Sequence, residues 1–204
     1  MQFAYAASGG LRRWRRYGEA SLATFDWNRL PEPQARQLQA YAAGLAEHLA
    51  EGWGLVLSGG VGCGKTHLAV GLGVLALGLG YSAYATTLDE LLRGLRSSYQ
   101  SRKPGKEAQL MARVAEVDLL ILDDLGLERP TPWARERLAQ VIQQRYNRGR
   151  ALLVTTGLGL DELERVWGME VVSRLYGSCR IVGLEGVPDY RRLQRSVGTS
   201  MVAG

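Results

Sequence analysis

Cysteine and histidine, two side chains that often hold structural metals, are scarce in this chain of 204 residues. Its two cysteines are Cys63, in a glycine-rich loop, and Cys179, in a late apolar run. The sequence contains no CxxC pair and no histidine cluster, which excludes the usual spacings of a zinc site. Two unpaired cysteines are typical of a reducing compartment, so we expect a cytoplasmic location.

An export signal and an uninterrupted apolar span are also absent. The N-terminal stretch MQFAYAASGGLRRWRR places apolar residues before charges, the reverse of a secretory signal. The uncharged run 68–88 is long enough to cross a bilayer, but Gly78 and Gly80 interrupt it and its second half is polar and β-favouring. We expect helix, turn and strand there, and no membrane partner.

Acidic residues are outnumbered, and lysine is almost missing. Lys plus Arg is 25 against 20 for Asp plus Glu, a net charge of +5, and lysine occurs only at Lys65, Lys103 and Lys106. This excess permits a polyanionic partner, but a solvated basic surface explains it equally well. The 46% hydrophobic and 22% charged content is typical of a folded globular protein.

Repeats, low-complexity tracts and linkers are absent, so we expect one folded domain. Residues 1–24 read as a basic arm that contains the cluster LRRWRRY (11–17), and residues 25–204 read as a single core. The arm could touch DNA, lipid headgroups or an acidic partner. Apolar residues at steps of three and four between Leu38 and Leu49 predict an amphipathic helix that ends near Gly52.

Strand and helix signals alternate along the core. Near-continuous apolar strands separated by helices predict an α/β fold, with a five-stranded parallel sheet covered on both faces. The predicted strands are 55–58, 81–85, 118–122, 151–155 and 179–184, and the longer predicted helices are 64–79, 88–99 and 132–147.

The loop after the first predicted strand has the pattern G-x-x-x-x-G-K-T. Glycines let backbone N–H groups turn toward phosphates, and the helix that follows adds its positive end. Lys65 would reach the β- and γ-phosphates, and the Thr66 hydroxyl would bind magnesium. The predicted nucleotide-binding residues are Gly59, Gly60, Val61, Gly62, Cys63, Gly64, Lys65, Thr66 and His67.

A pair of carboxylates ends the strand VDLLIL. Asp123 would lie in the outer shell of the magnesium ion, and Asp124 would orient and polarise the attacking water. The alternative is two solvent-facing acids that cap a turn. With the phosphate loop, the pair predicts hydrolysis of a nucleoside triphosphate.

Four later motifs narrow the class: DDLG (123–126), QQRY (143–146), SRL (173–175) and DYR (189–191). In this order and spacing the chain, from about Thr24 to Leu193, resembles the AAA+ ATPases of the bacterial helicase-loader group, the DnaC and DnaI proteins, and the IstB-type transposition helpers. The resemblance implies ATP as the nucleotide and the strand order 5-1-4-3-2.

The resemblance also implies roles for three residues. Thr156 stands where the sensor-1 segment probes the γ-phosphate, Arg174 matches the arginine finger that reaches a neighbouring subunit's nucleotide, and Arg191 matches the closing sensor-2-like arginine. Self-association through Arg174 would then control hydrolysis. The plain alternatives are an ion pair of Arg174 with Glu170 and a solvated Arg191.

Two features depart from that family. The sensor-1 run usually ends in Asn, whereas here Gly157 follows Thr155 and Thr156, so a water-orienting amide is missing and turnover would be slow. Helicase loaders also carry a separate N-terminal docking domain. Here either the short arm with Trp14 does that work or the chain is a core without its docking domain.

The densest basic segment after the arm lies near Tyr99. Its predicted single-stranded DNA contacts are Arg93, Arg96, Arg102 and Lys103, because a positive groove with aromatic contacts is typical of such sites. The alternative is a solvated helix face followed by a loop.

The first functional hypothesis is an ATP-dependent factor that binds single-stranded DNA and loads a replicative DNA helicase. The second, an IstB-like helper that marks target DNA for a transposase, shares every motif. A small-molecule P-loop kinase would transfer phosphate to an acceptor at any protein concentration. A nucleotide-gated binding module, suggested by Gly157, would bind ATP without turnover.

Overall fold

A parallel sheet forms the centre of the molecule. The computed structural model describes residues 4–5, 18–100, 105–126 and 130–190. The strands are β1 (Gly54–Ser58), β2 (Ala83–Thr87), β3 (Leu119–Leu125), β4 (Ala151–Thr156) and β5 (Cys179–Gly183). Their order across the sheet is β2-β3-β4-β1-β5. The predicted α/β class and the order 5-1-4-3-2 are confirmed, read from the opposite edge.

Helices cover both faces of this sheet. They are α1 (Glu32–Ala43), α2 (Leu45–Glu51), α3 (Lys65–Gly78), α4 (Leu88–Gln100), α5 (Lys106–Glu116), α6 (Pro132–Asn147), α7 (Leu160–Trp167) and α8 (Met169–Ser178), with a 3₁₀ turn at Trp27–Arg29. Leu55 and Leu57 of β1 pack with α1, α2 and α3, while Val56 packs with α4 to α8 on the other face. All residues of β1, β2 and β4 are buried, as a sheet covered on both sides requires.

Several boundaries differ from the sequence-based prediction, and β2 begins and ends two residues later than predicted. The first long helix is two helices, because the chain turns at Gly44 between α1 and α2. A two-residue strand, Ala4–Tyr5, extends the sheet beyond the predicted five strands by pairing with β2. Strand β3 continues past Leu122 to Leu125, with a break in its pairing to β4 between those two residues.

Arg145, from the QQRY motif, is a buried cation that fastens three elements together. Its guanidinium is 1% exposed and donates to the carbonyl oxygens of Val114 (2.7 Å), Asp118 (3.0 Å) and Ala151. These carbonyls lie at the end of α5 and at the starts of β3 and β4. Burial lowers the pKa of Arg145 to about 9, so the side chain remains charged at neutral pH. By binding carbonyl oxygens at the starts of β3 and β4, Arg145 fixes the beginnings of the two strands that carry the acidic site.

Within the described ranges, the helices are too short or too polar to cross a membrane.

Candidate functional site: a phosphate loop beside an acidic strand end

The predicted phosphate loop joins β1 to α3 at the carboxyl end of the sheet. Gly62 and Gly64 have φ angles of 77° and 99°, a left-handed backbone that favours glycine. The Lys65 ammonium donates to the carbonyl oxygens of Gly59 (2.7 Å) and Gly60 (2.6 Å), and the Cys63 thiol donates to Gly60 O (3.1 Å). The side chains of Lys65 and Cys63 therefore stabilise the loop by hydrogen bonds to its own backbone. Val61, at the tip of the loop, is 73% exposed.

A chain of hydrogen bonds connects this loop to the acidic end of β3. The Thr66 hydroxyl donates to Asp123 Oδ1 at 2.8 Å, and the Thr155 hydroxyl donates to the same oxygen at 2.7 Å. The Thr155 oxygen also accepts from the backbone N–H of Asp124 at 2.8 Å. Asp123 is fully buried, so these contacts fix its carboxylate beside the first turn of α3.

Asp124 lies in the break between β3 and β4. Its φ of 61° makes it the one residue other than glycine with a left-handed backbone among those that the structure describes. Such strain persists where surrounding contacts enforce it, and here the bond from its N–H to Thr155 does so. Its side chain is exposed and lines a cavity of about 300 Å³ with Thr87, Glu90 and Trp167. The Asp124 side chain is therefore exposed, whereas the neighbouring Asp123 carboxylate is buried against Thr66 and Thr155.

Thr156 is not brought to this cluster. Side chains alternate along β4, so Thr155 faces α3 while Thr156 faces the opposite layer. The Thr156 hydroxyl donates to Leu125 O (2.6 Å) and accepts from the N–H of Leu158 (3.0 Å), and the residue is fully buried. The sequence analysis did not assign Thr155 to the site. Because side chains alternate along β4, Thr155 could have been placed beside Asp123 if the register of the strand had been known.

The residues at the site fit a magnesium ion by their chemistry. Mg²⁺ prefers hard oxygen ligands and keeps several waters, with one or two protein groups beside phosphate oxygens. The Thr66 hydroxyl and the Asp123 carboxylate are such oxygens, and they lie in direct contact. Together with Lys65 they form a set of one cation, one hydroxyl and one carboxylate, as the motif predicts.

Arg174 projects from α8 and is 23% exposed. It pairs with Glu170 Oε1 at 3.0 Å and donates to Glu170 O at 2.9 Å, so the plain alternative from the sequence is present within one protomer. Ion pairs at this spacing on helices contribute about 0.3–0.5 kcal/mol, and here only the Glu170 side chain, 67% exposed, is largely open to solvent.

The other predicted residues are placed as follows. The His67 ring contacts Ser21 O (3.0 Å) and the Thr24 hydroxyl (3.2 Å), so it faces the segment before α1. On α4, Arg93 pairs with Asp89 (2.7 Å), and the guanidinium of Arg96 lies 4.8 Å from the centre of the Trp133 ring. Arg102, Lys103 and Arg191 lie outside the described residues, as does the cluster LRRWRRY.

Sequence reasoning also missed residues that touch the loop from both ends of the core. A Cβ added at Gly64 would lie 2.7 Å from Phe25, and one added at Gly62 would lie 1.8 Å from the Asp189 carboxylate. These contacts bridge long sequence separations. Asp189 belongs to the DYR motif, but the motif does not show which loop it contacts, and no local pattern marks Phe25.

Comparison with known proteins agrees with this geometry. Residues 11–197 match the family model described as IstB-like ATP binding protein. The chain is 28% identical over 141 residues to the uncharacterised protein YdaV of Escherichia coli, covering 69% of this chain and 56% of YdaV. It is 24% identical over 120 residues to the replicative helicase loader DnaC of E. coli, covering 59% of this chain and 49% of DnaC.

Solved structures show the same fold. A crystal structure of the DnaC helicase loader superposes with a TM-score of 0.72 and 26% identity, over 83% of this chain and 99% of that one. A DnaI crystal structure gives 0.66 and 22%, over 86% of this chain and 92% of that one, which supports the fold alone. Of the full-length sequences of YdaV and DnaC, however, this chain spans only about half.

Proposed function

Because the chain belongs to the family of IstB-like ATP-binding proteins, we propose that it binds ATP at the 59–66 loop and hydrolyses it. The observation that carries the proposal is the shared carboxylate oxygen of Asp123, which accepts from both Thr66 and Thr155. This contact ties the phosphate loop to the strand end that presents Asp124. The site therefore has both phosphate-binding and water-activating groups.

Each residue has a distinct task in this proposal. Lys65 binds the β- and γ-phosphates, and the loop N–H groups and the positive end of α3 add to its attraction. Thr66 and Asp123 would hold Mg²⁺, which when bound neutralises charge on the phosphates. Asp124 accepts the proton of the attacking water, and Thr155 fixes the backbone of Asp124 in its strained conformation.

The proposal includes a second protomer. Arg174, released from Glu170, would approach the phosphates of a neighbouring copy, and such arginines raise rates by about 10³–10⁵ in other P-loop enzymes. Met169 (71%) and Tyr176 (56%) are exposed on the same helix, α8. Met169 and Tyr176 are seven residues apart and share one face of α8, which is not the face of Arg174, so they favour a protein contact on this helix without placing it at the finger.

Single-stranded DNA is the proposed polyanionic partner. Arg93 and Arg96 are exposed on α4, and Arg96 already stacks on an aromatic ring. If both contact phosphates, Arg93→Ala and Arg96→Ala would each reduce the slope of log affinity against log salt by about 0.7. Fluorescence anisotropy with a labelled oligonucleotide measures this slope.

Loading of a replicative DNA helicase is the function that we propose, with a role in transposition as the second candidate. The DnaC relatives support the first, and the match to the family model of IstB-like proteins supports the second. Affinity purification from the native host distinguishes them, because a loader retains a replicative helicase and a transposition helper retains a transposase.

Phosphate release from ATP and magnesium tests the assembly-dependent ATPase directly. The rate per protomer should climb with protein concentration, and Arg174→Ala should abolish the climb. Two controls are matched: Arg165→Ala, a neighbouring arginine on α7, and Glu170→Gln, which removes the charge that pairs with Arg174 and keeps Arg174 itself. A rate that does not change with concentration would rule out the finger in trans, and tight binding without any release would favour a binding module.

A further inference from the structure

Two segments from opposite ends of the core meet on the phosphate loop. Phe25 precedes α1 and lies against Gly64, where a Cβ would be 2.7 Å from its ring. Asp189 follows β5 and lies against Gly62, where a Cβ would be 1.8 Å from its carboxylate. The loop glycines therefore admit close neighbours as well as adopting their left-handed backbone.

The second segment also bonds to the loop backbone. The N–H of Tyr190 donates to the carbonyl oxygen of Gly62 at 3.0 Å. A trans peptide is planar, so its C=O and N–H point in opposite directions. Holding the Gly62 carbonyl toward Tyr190 therefore directs the Cys63 N–H away from it, and a phosphate loop binds anions through such N–H groups.

The two segments contact each other through a charged and an aromatic side chain. The guanidinium of Arg29, in the 3₁₀ turn before α1, lies 4.4 Å from the centre of the Tyr190 ring. This distance is typical of a cation–π contact. Arg29 therefore holds in place the residue whose N–H orients the Gly62–Cys63 peptide.

We propose that Arg29 and Tyr190 are positioning residues for the nucleotide phosphates, and that their stacked pair fastens the loop in its anion-binding shape. The inference rests on the proposed nucleotide binding at this loop. When the pair is broken, the loop spends less time in that shape, and apparent affinity falls by the fraction lost.

The experiment compares Arg29→Ala and Tyr190→Ala with the conservative variants Arg29→Lys and Tyr190→Phe. Arg36→Ala and Tyr146→Ala are the matched surface controls. Hydrogen exchange of the 59–66 amides is measured without nucleotide, and the dissociation constant is measured with fluorescent ATP. In the alanine variants, but not in the conservative ones, we expect faster hydrogen exchange of the 59–66 amides and about threefold to fivefold weaker binding of fluorescent ATP. The double alanine variant should be no weaker than either single variant.

Each other outcome has a separate meaning. Unchanged loop exchange and affinity in both alanine variants would overturn the proposal. Faster exchange throughout β1 and β4, with a matching loss of thermal stability, would show a general structural role instead and would also overturn it. If the wild type bound no nucleotide while Tyr190→Ala still loosened the loop, the proposed function and the role toward nucleotide phosphates would both fail, and only the fastening of the loop by the Arg29–Tyr190 pair would stand.

Discussion

The hydroxyl of Thr66 and the carboxylate of Asp123 are joined by a 2.8 Å hydrogen bond, although 57 residues separate them in the chain. Thr66 lies in the first turn of α3 and Asp123 near the end of β3, so the bond fixes a helix and a strand against each other. A buried carboxylate requires such partners, because an unpaired one loses its solvation without compensation. The contact is therefore both a structural tie and the proposed magnesium site.

Thr155 and Thr156 should differ in what they do, although they are neighbours. Thr155→Val removes the hydroxyl that contacts Asp123 and Asp124, and we expect turnover to fall about tenfold or more. Thr156→Val removes the bonds to Leu125 and Leu158, and we expect lower stability, about 1–3 kcal/mol, with turnover per folded protomer retained. Thermal unfolding and phosphate release separate the two effects, and a reversed pattern would restore the sensor-1 role to Thr156.

Gly157 offers a gain-of-function test. Its backbone does not lie in the left-handed region, and a Cβ built there would have nothing within 4 Å, so a side chain fits. Gly157→Asn would supply a side-chain amide able to orient the attacking water, and we expect turnover to rise roughly tenfold. Gly157→Ala is the control for the backbone change. Equal rates in both variants and the wild type would show that a missing amide at this position does not limit turnover.

Arg145 should be the most stability-sensitive arginine of the described core. Arg145→Ala leaves three buried carbonyl oxygens without this donor and opens a cavity, which together cost about 3–5 kcal/mol of unfolding free energy. Urea unfolding measures the loss. Arg148→Ala, an exposed arginine one helical turn on, should change stability by less than about 0.5 kcal/mol. Similar midpoints for both variants would contradict the fastening role.

Because the thiol of Cys179 is buried, we expect the free energy of unfolding to fall at alkaline pH. Burial raises the pKa of its thiol from 9.0 to about 12, so the unfolded chain loses this proton first as pH rises. The stabilisation is complete below pH 9.0 and declines toward pH 12. We expect the stability of the wild type relative to Cys179→Ala to fall over this range, measured by denaturant unfolding at each pH. A pH-independent difference would show that the thiol titrates normally in the folded protein.

Much of the fold followed from local patterns, and the site followed in part. Lys65, Thr66 and Asp123 stand in contiguous motifs next to strands, so their positions could be predicted without knowing the sheet. The choice between Thr155 and Thr156 could not, because facing depends on strand register, and a one-residue shift exchanges the faces. Asp189 and Tyr190 stand in the DYR motif, but that motif pointed to Arg191, and no local pattern showed that these two residues or Phe25 approach glycines distant in sequence.

The most direct measurement of the central claim compares Asp124→Asn with the wild type in ATP binding and phosphate release. Asparagine keeps the shape but cannot accept a proton, so release should fall by about 10²–10⁴ while the dissociation constant for ATP stays unchanged. Asp161→Asn, an exposed acid on α7, is the matched control and should behave as the wild type. Undiminished release in Asp124→Asn would contradict hydrolysis at this strand end.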